Sequence, residues 1–253
     1  MFLKGWVKAI LKSMGWRLIK VAPDDRPRGD PHFDQQVLFR GKPVNVIFDV
    51  GANMGQSAME YRRRFPDATI YSFEPFEDCF NELCNRAAAD AKIKPHQAAV
   101  SRESGTQKLF VNKSHYTNSL LPVAPEATQF NSPDTVDPVT QLEVTTITLD
   151  DFAAREKIER IDILKIDVQG GELLVLEGAR GLLERGAIAV IFCEVDFAPL
   201  YENQAEFEEL LVFLKRRGFV LYGLYNFSYR GNSPLIYGDA IFISAQVNAK
   251  LRG

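Results

Sequence analysis

The sequence predicts a doubly wound α/β fold on three observations. From residue 44 onward, apolar strand-like runs alternate with helix-patterned segments, the pattern of parallel strands joined by crossover helices. A glycine turn, Gly51 to Gly55, leads from the first run straight into a helix, where open α/β sheets bind their ligands. The closing runs FVLYGLYNF and LIYGDAIFIS follow each other with no helix between, which predicts an antiparallel pair at the sheet's end.

In chain order, residues 1–20 put Phe2, Trp6, Val7, Ile10 and Met14 at helical spacing, with Lys4, Lys8 and Lys12 on another face. They predict a basic amphipathic helix that packs on the domain or on a second subunit; the alternative is an anionic membrane surface. The apolar stretch is too short and interrupted for a signal peptide or a span. The proline- and charge-rich stretch VAPDDRPRGDPHFD reads as a linker or surface loop that leaves His32 solvated. Residues 1–43 therefore form an N-terminal helix and linker, and 44–253 the domain.

Within the domain, VNVIFDV (44–50) is a strand buried on both faces. A helix over 55–64 and the strand ATIYSFEP (68–75) follow, then a helix over 76–90 and a short strand, HQAAVS (96–101). TQKLFVN (106–112) and LEVTTITLD (142–150) alternate as extra strands. IDILKIDV (161–168) precedes a helix over 171–186, and IAVIFCEV (188–195) a helix over 204–218 that Gly218 stops. Residues 113–141 carry four prolines and little periodicity; a loop of that length in a compact domain is usually functional, and we read it as a substrate lid.

The net charge of −3 gives no support to nucleic-acid binding. Cys79, Cys84 and Cys193 have no disulfide or zinc spacing, and buried thiols suit a reducing cytoplasm.

In VIFDVGANMGQS, Gly51 and Gly55 let a ligand approach the backbone, and the helix start offers free N–H groups. A dinucleotide fingerprint would have a middle glycine; here the turn is GANMG, preceded by Asp49. Asp49 suits an ammonium or a sulfonium better than a pyrophosphate. Glu74 closes the second strand, where a carboxylate accepts ribose hydroxyls. An adenosine with an amino-acid tail, S-adenosylmethionine, satisfies both, with Asn53, Gln56 and Ser57 lining the tail.

The segments FDVGANMGQS, YSFEP, TTITLDDF and LKIDVQGGELLVLEGA resemble the FkbM-type S-adenosylmethionine-dependent methyltransferases over roughly residues 44–244. The resemblance implies a class I methyltransferase (Rossmann-like) fold of seven strands, mostly parallel with the last antiparallel. It also implies O-methylation of a hydroxyl on a sugar, glycan precursor or glycosylated natural product. Asp49, Gly51, Asn53, Gly55 and Glu74 match the family's cofactor motifs, and Asp167, Gly170 and Glu172 its later signature. Gln169 stands where members often carry glutamate, so it receives no catalytic or metal role.

For the chemistry, Asp167 at a strand end beside the expected methyl position is the first candidate for base or orienter, and it also borders the cofactor. Glu194 ends the neighbouring strand and is expected to meet the acceptor. His115, in the lid, is the histidine candidate for base, against the reading of a solvated loop residue; His96 is expected to pack. Asn118 and Ser119 are expected to touch cofactor or substrate. Glu172 is divided between a helix-dipole partner and the site. Lys165, inside a buried strand, is expected to pair with Asp49, Asp167 or Glu194. A divalent metal such as Mg²⁺ on Asp167, Glu172 and Glu194 stays open, as does a homodimer. Tyr116, Tyr201, Tyr225 and Asn226 do not single out an acceptor. An N- or carboxyl-methyltransferase, or a non-catalytic assembly partner, are the alternatives.

Overall fold

The computed structural model describes residues 29–252; the expected helix over 1–20 lies outside them. The linker reading ends early. Asp30 caps a helix, α1 (Pro31–Leu38), its carboxylate accepting the His32 and Phe33 N–H groups at 2.9 and 3.0 Å, with Pro31 at the first helical position. His32 is therefore no solvated loop residue: its ring packs edge-on against Tyr61 and Phe192.

The strands β1 (Val46–Val50), β2 (Thr69–Phe73) and β3 (Ile93–His96) run parallel, connected by α2 (Gln56–Arg64) and α3 (Glu77–Ala87). The main-sheet strand is IKPH, not HQAAVS. Pro95 is tolerated because β3 pairs only with β2 and lies at the sheet edge. Ala99–Val100 instead forms β4 of a second, three-stranded sheet with β5 (Gly105–Asn112) and β6 (Pro138–Ile147), in the order β4-β6-β5. Between β5 and β6 the chain makes a 3₁₀ turn, His115–Thr117, and two short helices, α4 (Ala127–Phe130) and α5 (Pro133–Val136).

The helix α6 (Leu149–Arg155), capped by Thr148, precedes β7 (Ile161–Ile166). The helix expected over 171–186 is two, α7 (Glu172–Glu177) and α8 (Arg180–Glu184). A side chain at Gly178, between them, would put its Cβ 2.1 Å from the Ser101 carbonyl oxygen, so the second sheet packs against bare backbone there. β8 (Ile188–Asp196), α9 (Phe207–Lys215) and the hairpin β9 (Val220–Ser228)–β10 (Tyr237–Ile243) complete the domain, and α10 (Ala245–Arg252) follows. The seven-stranded order is β3-β2-β1-β7-β8-β10-β9, with β10 antiparallel to both neighbours. This is the Rossmann-like class I methyltransferase architecture. No described helix is long and apolar enough to cross a membrane.

Strand alternation divides the core. Phe48, Leu164 and Phe242 face one layer, with Phe152 and Leu176; Ile47, Ile163 and Ile241 face the other, with Tyr61 and Leu83. Burying each such side chain stabilises by roughly 1.5–3 kcal/mol. Toward the carboxyl ends, the second face turns polar at Asp49, Lys165, Glu194 and Asp239, each two or four residues along its strand from a core residue. Asp49 is in register with Lys165, and Glu194 with Asp239.

Candidate active site

At the carboxyl ends of β1, β2, β7 and β8 lies a cavity of about 270 Å³. Its walls include Gly51 and Asn53 after β1, Glu74 after β2, His115 to Ser119 from the β5–β6 connection, and Asp167, Gln169 and Glu194. Gly51 is required by sterics. At φ +74°, a Cβ would sit 1.8 Å from the Asp167 carbonyl oxygen, so β1 and β7 could not meet there with any side chain.

Glu74 is buried, and its two oxygens accept the Asn53 and Phe76 N–H groups at 2.8 and 2.9 Å. Each carboxylate oxygen has a lone pair left for a ligand hydroxyl. Burial pushes its carboxyl up to about 7 against those two donors and Lys165. His115 Nδ1 and Asn118 Nδ2 are buried without a partner in the wall of the same cavity. Unpaired buried polar atoms are costly, and a polar ligand would satisfy them. An adenosine with an amino-acid tail fits this set of groups.

Three expected cofactor residues lie elsewhere. Asp49 is fully buried beneath the cavity: Lys165 Nζ is 3.2 Å from one oxygen, and Ser57 Oγ donates to the carboxylate at 2.8 Å. Its charge is matched within the protein, so it does not offer itself to a sulfonium. Ser57 serves Asp49 and borders a second cavity, as Gln56 does. Gly55 caps α2 in the left-handed region against Leu83. Lys165 makes the expected ion pair; burial pulls its ammonium down, but Asp49, Asp167 and Glu74 more than offset this and hold it charged. Its Nζ also donates to the Gly51 carbonyl at 2.7 Å, which ties the glycine turn to β7.

Gln169, given no role from sequence, joins the strand ends. Its Nε2 donates to Asp167 Oδ1 at 2.9 Å and to Glu194 Oε2 at 2.7 Å, while Tyr201 OH donates to its Oε1 at 2.9 Å. The Tyr201 hydroxyl thereby fixes which way the amide points. The backbone is left-handed there, φ +61°, and Ser119 Oγ holds the Gln169 carbonyl at 2.6 Å. A strained residue over-determined by its surroundings is characteristic of a working site. The sequence signal was the polar residue before two glycines in DVQGG.

Asp167 is the most open of these acids, its side chain 45% exposed, with Lys165 Nζ at 3.7 Å. Glu194 is half-buried and lines both cavities; burial, then Asp167 and Asp196, push its carboxyl well above the usual range. Glu172 accepts the Val168 N–H at 3.0 Å and closes the turn as a structural group; burial pushes it up to about 7. Among the described residues, no three or more His, Cys, Asp or Glu side chains are grouped to hold a metal ion. His115 carries its backbone over the glycine turn, its carbonyl accepting from Asn53 Nδ2 at 3.4 Å. Asn118 Oδ1 accepts the Asn112 N–H. His96 packs among Tyr71, Phe73 and Phe152, as expected.

Residues 49–221 match the family described as the methyltransferase FkbM domain. Similar curated proteins include 31-O-demethyl-FK506 methyltransferase FkbM of Streptomyces tacrolimicus, 28% identical over 54% of this chain and 60% of that protein. The hexuronic acid methyltransferase AglP of Haloferax volcanii is 25% identical over 62% of this chain and 59% of its own length. The 2-O-methyltransferase NoeI of Sinorhizobium fredii is 24% identical over 70% and 74%. The chain spans under two thirds of several of these relatives, 58% and 59% in two further cases.

Proposed function

Because this chain belongs to the FkbM methyltransferase family, we propose that it is an S-adenosylmethionine-dependent O-methyltransferase acting on a hydroxyl of a sugar, glycan precursor or glycosylated natural product. The observation that carries the cofactor assignment is Glu74, a buried carboxylate with free lone pairs at the end of β2, beside the unpaired His115 and Asn118 atoms. Relatives named for an FK506 hydroxyl, a hexuronic acid and a 2-O position support an oxygen acceptor.

When bound, the cofactor supplies an electrophilic methyl group on a sulfonium. Gly51, Asn53 and Glu74 would hold its nucleoside side, with Asn118 and His115 above. Most of the rate then comes from positioning, and the acceptor hydroxyl has a proton to lose. Asp167 takes that proton: it is the open carboxylate, held by the Gln169 amide and near Lys165. Glu194, driven toward its protonated form, donates a hydrogen bond that orients the acceptor. A base so placed contributes about 10²–10⁴-fold. The lid expected over 113–141 shortens to 113–137, because 138–141 pair in β6, and His115 belongs to the cofactor's cover, not to the proton path.

Calorimetric titration with S-adenosylhomocysteine tests the reading. Micromolar binding is expected, weakened about ten-fold or more by Glu74→Ala, as for loss of charged hydrogen bonds. Absence of binding to a folded wild-type protein would leave the assembly-partner reading.

A further inference from the structure

A second cavity, of about 300 Å³, lies against the first and shares Asp167 and Glu194 with it. We propose that this second cavity is the acceptor subsite and that it takes a neutral or cationic sugar ring, excluding hexuronates and sugar phosphates; the inference rests on the methyltransferase reading.

Placement comes from the sheet. Lys165, Phe192, Glu194 and Asp239 lie on one face of adjacent strands, because successive side chains alternate and the strands are in register there. α1 supplies His32, and α2 supplies Gln56 and Glu60. The two carboxyl groups that divide the cavities are the pair that Gln169 joins, so a ring seated here presents its hydroxyls to Asp167.

The chemical class comes from the walls. His32 and Phe192, in edge contact at 5.7 Å between centroids, form an apolar floor suited to the C–H face of a pyranose. Around them stand carboxyl oxygens and the side-chain amides of Gln56 and Asn226, groups that accept from and donate to hydroxyls. The charge is one-signed. Lys165 is matched by Asp49, and Glu60 by Arg63 and Arg64. What is left on the walls is Asp167 and Asp239, beside a Glu194 carboxyl that burial holds toward its protonated form. A second anion brought among them meets repulsion that water cannot screen well in a cleft, and such repulsion sets specificity.

The test is saturation-transfer NMR on the complex with S-adenosylhomocysteine, using methyl glycosides of glucose, glucosamine and glucuronic acid. The glucoside and glucosaminide should bind, and the glucuronide about ten-fold or more weakly. Asp239→Asn should narrow that gap. Gln56→Trp, at an exposed position, should keep the wild-type melting temperature and block all three sugars while S-adenosylhomocysteine affinity holds. Equal binding of the glucuronide, sugar binding that survives Gln56→Trp, or no sugar binding to the loaded protein would each overturn the subsite. Failure of S-adenosylhomocysteine itself to bind would instead remove the methyltransferase reading.

Discussion

An amide between two carboxyl groups changes what each can do, and Gln169 is such an amide. Its two Nε2 hydrogens serve Asp167 and Glu194, so the amide bridges the pair. Replacing it by glutamate removes both donors and adds a third acid. Nearby negative charge favours the protonated forms of its neighbours, so the acid limb of the kcat profile should move to higher pH in Gln169→Glu. We expect kcat to fall by about 30–100-fold, the worth of one or two charged hydrogen bonds, with a smaller change in acceptor KM. A rate measured across pH on acceptor and cofactor at saturation checks this. An unshifted profile with only a lower melting temperature would reduce Gln169 to a structural part. The sequence could not show this residue's reach, because the partners that define it, Glu194 and Tyr201, lie 25 and 32 positions away. Asp49 was legible at its strand end, and so was Lys165 as a buried lysine in need of an acid; which acid it takes, Asp49 at 3.2 Å, needed the sheet.

Elements with strong periodicity were legible; those shaped by packing were not. The buried runs of β1, β7 and β8 gave themselves away as apolar strands. β3 did not, since Pro95 reads as a breaker until the strand is known to lie at an edge. α1 had the signature of a cap and a first-turn proline in DPHFD, masked by prolines and charges before it. The break at Gly178 depends on the Ser101 carbonyl arriving from another sheet, which no local pattern encodes. The connection between β5 and β6 showed its length, its prolines and its polar residues, but not its short helices. It holds His115 and Asn118 with buried unpaired atoms, so ligand binding should tighten it. Hydrogen exchange read by mass spectrometry should slow in peptides covering 113–137 when S-adenosylhomocysteine is added, with little change in α9. Unchanged exchange across that segment in a saturated complex would count against a lid.

At the scale of the molecule, acids held above their ordinary range shape stability. Burial pushes Glu74 and Glu172 to about 7 and Asp239 to about 6, and raises Glu194 and Asp196 well above the carboxylate range. Unfolded, these groups titrate near about 4, so between there and neutrality the native state holds more protons and loses stability as pH rises. His32 and His96, lowered by burial, oppose this below about 6.5, but they are two groups against five. Glu60, lowered to about 2 by Arg63 and Arg64, helps only at the acid end. The ligand-free protein should therefore melt at a higher temperature near pH 5.5 than at pH 8. Circular dichroism melts across that range check it, and a melting temperature that climbs steadily would refute it. The hairpin β9–β10 has another implication. It supplies Asn226 and Asp239 to the second cavity and Tyr237 to the first, whereas Gly51, Asn53 and Glu74 follow β1 and β2, far earlier in the chain. Descendants of such a gene are thus free to drift in the hairpin beyond Tyr237 and change diet while the part that carries the methyl group is inherited intact.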